Sequence, residues 1–246
     1  MDENFLIFYF LLFVVAFLYA SVGHGGASGY LALMAIFAVS PAVMKPTALL
    51  LNLFVSSTSF LQFYRGGHFK WKLLWPFALA SIPLSFVGGL IAIENSLYKK
   101  ILGILLLIPV TRFFFFQNTN SKDFKPSNLP LSLVVGGIIG LLSGMIGIGG
   151  GIILSPVILL LKWADQKQTA AVSAAFIFVN SMAGLGGQLI KGFEFNIHML
   201  GYVIVAFAGG ICGAYFGALK FRQTVLKNIL ASVLALAAYK LLFTHA

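Results

Sequence analysis

Acidic side chains are nearly missing from this chain: its 246 residues include six, Asp2, Glu3, Glu94, Asp123, Asp165 and Glu194, all at a terminus or between apolar runs. With no carboxylate inside an apolar run, nothing is placed to hold Na⁺ or to relay protons through a membrane. A cation pump is disfavoured, and an anion or neutral solute remains. Cysteine is scarcer still. The single Cys212 excludes an internal disulfide and a CxxC pair, and no Cys/His spacing suits a metal. A nucleophile with its base and orienting group is absent, as is a Walker loop, so no enzyme and no cofactor is expected.

Apolar residues fill the space left. The chain is 60% hydrophobic with 25 Phe and only 9% charged residues, at a mean hydropathy of +0.99. That composition belongs to an integral membrane protein whose main partner is the lipid bilayer. The net charge of +10 sits in short gaps between apolar runs, so it reads as cytoplasmic loop charge and not as a nucleic-acid surface. Met1-Asp2-Glu3-Asn4 precedes an apolar run ending at Ala20, which has the length of a signal peptide but acids where a basic region belongs. Its counterpart recurs at residues 129–145, so it is read as structure.

About ten apolar segments follow, each expected to be a helix because only helices and closed barrels span lipid and the runs do not alternate. They cover 5–20, 25–39, 46–64, 72–93 and 97–116, then 129–145, 150–162, 168–190, 197–219 and 224–243. The polar stretch Gln117 to Asn128 separates a first transmembrane repeat, 1–116, from a second, 129–246, and is expected to be a cytoplasmic linker.

The two halves echo each other. Gly23-His24-Gly25-Gly26 returns 124 residues later as Gly147-Ile148-Gly149-Gly150, followed by Gly151. Lys45-Pro46-Thr47-Ala48 matches Lys167-Gln168-Thr169-Ala170, while Gln62, Gly66, Phe69 and Leu74 match Gln188, Gly192, Phe195 and Leu200. A duplicated unit of five segments accounts for this.

Charge placement orients the units. If the short segments beside the glycines are spans or re-entrant hairpins, eleven Lys and Arg share one face (Arg65, Lys70, Lys72, Arg112, Lys122, Lys125, Lys162, Lys167, Lys220, Arg222 and Lys227). Lys45, Lys99, Lys100, Lys191 and Lys240 share the other. If each glycine break sat inside one continuous span, the same residues would divide evenly. The biased arrangement is preferred, giving inverted repeats with both termini outside. The fold expected is therefore an all-α polytopic membrane protein of two inverted repeats, whose short Gly-broken or re-entrant helices meet near the midplane. Such helices mark a transporter's binding site.

A glycine break that begins a helix exposes N–H groups at the positive end of the dipole, which suits a small oxyanion or carboxylate. The candidate substrate-binding residues are Gly23, His24, Gly25, Gly26, Ser28, Asn52, Gly147, Ile148, Gly149, Gly150, Gly151 and Asn180. His24, the one ionisable group in a break, is the candidate for proton coupling, or else a neutral histidine satisfied by backbone carbonyls. Asn52 and Asn180 should point inward, since an amide facing lipid is costly. Ser56, Ser57, Thr58, Ser59, Ser173 and Ser181 are read as interhelical hydrogen-bonding groups or ligand contacts.

With these features in view, the sequence resembles the TauE/SafE family of sulfite and organosulfonate exporters. Gly23-His24-Gly25-Gly26 with Ser28, Gly147-Ile148-Gly149-Gly150-Gly151 followed by Pro156, and the small and polar run Thr169 to Ser181 carry the resemblance. It implies a secondary transporter in a bacterial or archaeal inner membrane, exporting a small anion such as sulfite, sulfoacetate or a related organic acid by alternating access. A passive anion channel and an uptake carrier are the alternatives. The first motif departs by carrying His24 and by ending in Ala27 where the second has Gly151.

Overall fold

The computed structural model describes residues 3–21, 23–115, 124–193 and 197–219, together with residue 239. Those residues form helices and connecting turns, with no strand among them. The helices are α1 (Glu3–Ser21), α2 (Ala27–Ile36), α3 (Pro41–Arg65), α4 (Trp71–Leu90), α5 (Asn95–Phe115), α6 (Leu129–Ile146), α7 (Gly151–Leu160), α8 (Gln166–Ile190) and α9 (Ile197–Leu219). Each takes up one expected apolar run. The tenth, 224–243, apart from residue 239, and most of the linker lie outside the described residues. By length and composition α4, α6, α8 and the Met199–Phe216 part of α9 can cross a membrane. The chain is an all-helical polytopic membrane protein.

The largest shift from expectation is the start of α3. Pro41 occupies the first turn after an extended Ser40, and the helix runs on through Pro46. Lys45, expected in a gap between runs, therefore lies inside α3 and is 7% exposed. Its Nζ lies 3.4 Å from Gly88 O, 3.5 Å from Gly89 O and 3.4 Å from Ile91 O. These carbonyls close α4, where a helix has no onward donors of its own and carries the negative end of its dipole. Gln188 at the end of α8 also donates to Gly89 O. At its start α8 has a capping box, with Asp165 Oδ1 accepting from Gln168 N–H at 2.8 Å and Gln168 Oε1 from Asp165 N–H at 3.4 Å.

Side-chain and backbone neighbours fix the helix directions. Gly136, Gly140 and Gly144 of α6 lie on the backbone of Phe77, Ser81 and Ser85 in turn, so α4 and α6 are parallel. Ser85 Oγ donates to Asn180 O at 2.8 Å and Gly89 meets Gly184 and Gly187, which makes α8 parallel to α4. On the other side, Gly209 and Gly213 of α9 sit on Phe13 and Phe17 of α1, and Phe54 and Val55 of α3 pack on Phe207 and Gly210. Thus α1, α3 and α9 run one way. The opposite way run α4, α6 and α8, because Leu49 faces Gly184 and Asn52 faces Ser181 across α3 and α8. There are two cores, one around Leu12, Tyr30, Val55 and Ala206, which also takes in Ile146 of α6, the other around Phe77, Ile139, Ile158 and Phe176.

The short helices turn back. After α1 the chain reverses at the first glycine break, and α2 returns to the end of the molecule where α3 begins. In the second half α7 returns to the opposite end, where the Trp163 ring lies tilted against Phe77 and Lys125 N–H donates to Lys162 O at 2.8 Å. At 10 residues each, α2 and α7 reach roughly 15 Å, half the hydrocarbon thickness of about 30 Å.

Candidate functional site

Both short helices start at a glycine with a left-handed backbone, Gly26 at φ +97° and Gly150 at φ +77°. An L side chain is disfavoured there, so the turn that reverses the chain requires glycine. A glycine N-cap has no oxygen to offer the first N–H groups of its helix. In α2 one of them is met from another helix: Ala27 N–H donates to Asn52 Oδ1 at 2.9 Å.

Asn52 stands between the breaks. A methyl group at Gly25 would lie 2.7 Å from Asn52 Oδ1 and 2.8 Å from Ile177 Cγ2. One at Gly149 would press on Asn52 Nδ2 and lie 3.0 Å from the same Ile177 carbon. Both breaks therefore touch the same two side chains, halfway along α3 and α8. From this point α2 and α7 run apart, so the positive ends of their dipoles face each other. Asn52 Nδ2 also donates to Ser181 Oγ at 3.3 Å, tying α3 to α8.

His24 is 7% exposed and reaches across to the second half. Its Nε2 lies 2.9 Å from Ser155 Oγ, one turn into α7. Ser155 Oγ donates to Gly151 O at 2.9 Å and lies 2.8 Å from Ser173 Oγ of α8. With the one Ser155 proton on the Gly151 carbonyl, the hydroxyl accepts from its other two neighbours and His24 Nε2 donates; with that proton turned to the ring, His24 Nε2 accepts.

The remaining expected residues divide. Ser28, in the first turn of α2, pairs with Tyr19 OH at 2.8 Å. Gly23 lies against Phe63 and Ala170. Gly147, at φ +90°, ends α6 against the Lys45 backbone, and Ile148 beside it is buried. Gly151 rests on Ile177. Asn180 is fully buried, but its Nδ2 donates to Phe176 O at 2.8 Å in its own helix while Oδ1 has no partner among the described residues. Its hydrogen bonds do not tie it to the breaks. That place belongs to its neighbour Ser181.

Sequence reasoning missed Ile177 as the shared wall and Ser155 as the partner of His24. The only available signal for Ser155 was a serine four residues after Gly151 in an apolar run. Among the described residues no three His, Cys, Asp or Glu side chains gather to hold a metal.

The family described as sulfite exporter TauE/SafE matches residues 8–241. This chain belongs to the TauE/SafE family. Among its relatives is a probable membrane transporter protein, y4hK of Sinorhizobium fredii, 36% identical over 235 residues covering 94% of this chain and 95% of the relative. The probable membrane transporter protein MJ0441 of Methanocaldococcus jannaschii is 28% identical over 156 residues, 61% and 58% of the two chains. Sulfite exporter TauE/SafE family protein 3 of Arabidopsis thaliana is 27% identical over 133 residues, 53% and 28% of the two chains. No solved structure matches the chain. The TauE/SafE membership and the apolar helices together make this a multi-pass membrane protein of a transporter family.

Proposed function

We propose that the protein is a secondary transporter that exports a small anion, sulfite, sulfoacetate or a related organic acid, across a bacterial or archaeal inner membrane by alternating access. The observation that carries this reading is the meeting of two opposed helix N-termini at Asn52, because it gathers backbone donors and dipole ends around one point. No carboxylate of the sequence lies in an apolar run to compete for that point. Two inverted repeats, 1–116 and 129–246 joined by 117–128, are supported by the opposite directions of α1 and α6, of α3 and α8, and of α9 and α4. The end bearing Arg65, Lys70, Lys125 and Lys162 is then cytoplasmic by its excess of positive charge.

Substrate replaces Asn52 as acceptor of the Ala27 N–H and draws further donors from the first turns of α2 and α7. His24, held through Ser155, is the group that couples a proton to the anion. The test is efflux of sulfite and sulfoacetate from vesicles holding the purified protein. Gly25→Ala and Gly149→Ala should each reduce flux about tenfold or more, since either methyl pushes Asn52 out of place. Full flux in both variants removes the glycine centre as the site. His24→Gln should flatten the pH dependence of flux, and an unchanged profile takes His24 out of the mechanism.

A further inference from the structure

Four consecutive polar residues of α3, Ser56 to Ser59, divide by what their hydroxyls do. Ser57 Oγ donates back to Phe54 O and Thr58 Oγ1 to Val55 O, both at 2.7 Å. That is the usual way for a hydroxyl in an apolar helix to be satisfied. Ser56 and Ser59 are both fully buried, yet neither hydroxyl has a partner among the described residues. Back-bonding to their own helix was open to them too. A buried donor left unmade is a cost that a merely structural serine avoids, and alanine would serve better there.

Position says what the two hydroxyls face. At helical spacing, residues 52, 56, 59 and 63 fall on one narrow stripe. The stripe starts at Asn52, between the two glycine breaks, and ends at Phe63, whose Cε2 lies 2.7 Å from where a Cβ on Gly23 would be. Phe63 is half-buried and two residues from Arg65, at the basic end of the molecule. In the other direction the same face carries buried Ala48 and then Lys45, with Gly147 against the Lys45 backbone. The polar stripe therefore leaves the centre one way only.

We propose that Ser56 and Ser59 form the track that connects the central site to the basic end, with Phe63 over Gly23 as its gate. This rests on the anion-carrier reading and adds the route. Each hydroxyl gives one donor to a passing oxyanion. Neither fixes a charge beside it, so the ion is solvated step by step without being trapped.

The test uses the full chain in vesicles with sulfite as probe. Ser56→Ala with Ser59→Ala should lower efflux about tenfold while thermal unfolding in detergent comes at the same or a higher temperature. Ser57→Ala should leave flux unchanged. A flux within about twofold of wild type, or a loss accompanied by a lower unfolding temperature, overturns the track. A second arm needs no transport. In a Cys212→Ser background, Ser59→Cys should react with a water-soluble methanethiosulfonate, and faster once Phe63→Ala is added. No reaction overturns the track, and an unchanged rate overturns the gate. If the wild type moves neither sulfite nor sulfoacetate, the carrier reading fails by itself, and the labelling arm decides the track.

Discussion

Lys45 shows how far one residue's role depends on where its helix begins. A lysine beside a proline between apolar runs reads as loop charge, yet five extra residues of helix draw it inside, where its three N–H groups meet the three carbonyls that end α4. A cation at a partly buried helix C-terminus contributes up to about 2 kcal/mol. Lys45→Met keeps the aliphatic length and removes the donors. The expected result is a loss of about 1–2 kcal/mol in stability, read as a lower unfolding temperature in detergent with α-helical content retained. An unchanged temperature would mean that the carbonyls are satisfied without it.

At the scale of elements, the closest packing is backbone on backbone. A Cβ at Gly144 would overlap Ser85 O, and one at Gly140 would meet Ser81 O. Because lipid offers no hydrophobic drive to pull helices together, such close approach through small residues is what holds them. Gly140→Ala should therefore cost about 1–3 kcal/mol by overpacking, whereas Gly67→Ala, where nothing lies within 4 Å, should cost only its backbone strain. Comparing the two unfolding temperatures checks this. Helices of this kind were legible in the sequence, since apolar runs and the lipid rule leave little else, and the glycine pairs pointed to the chain reversals. What stayed hidden was long-range. The choice between Asn180 and Ser181 turns on one residue of rotation in α8, and the pairing of His24 with Ser155 joins positions 131 residues apart. Nor could composition separate Ser56 and Ser59 from Ser57 and Thr58, because only packing decides which face is buried.

Taken whole, the molecule divides across its sequence. Helices α4, α6 and α8 are fastened by glycine contacts into one group, and α1 and α9 into another, with α3 packed on both α9 (Val55 at Gly210) and α8 (Leu49 at Gly184), so each group draws on both halves of the chain. The seam between the groups runs through Asn52 and Ser181. If transport works by rocking, these are the bodies expected to move, along a boundary other than that between residues 1–116 and 129–246. Disulfide or short bifunctional cross-links test this in a Cys212→Ser background. Within one group, Ala80→Cys with Gly137→Cys places the two Cβ atoms 3.8 Å apart, near the usual disulfide separation, and should leave sulfite flux intact. Across the seam, Leu49→Cys with Gly184→Cys joined by a short bis-methanethiosulfonate should abolish it. Loss of flux in the first pair, or retention in the second, would put the moving boundary elsewhere.

The interlocking of the two groups also makes assembly wait on the order of biosynthesis. Helix α4 emerges before α6 and α8, which fill its backbone seats, and α1 waits for α9. A ribosome that has delivered only the first five helices has supplied most of the core around Leu12, Tyr30 and Val55, but none of the α6, α8 and α9 helices that seat on it and on α4. Stopped there, the nascent chain holds open seats on α1, α3 and α4 that only the later helices fit. Synthesised as separate pieces, 1–128 and 129–246 are each expected to be degraded alone and rescued together.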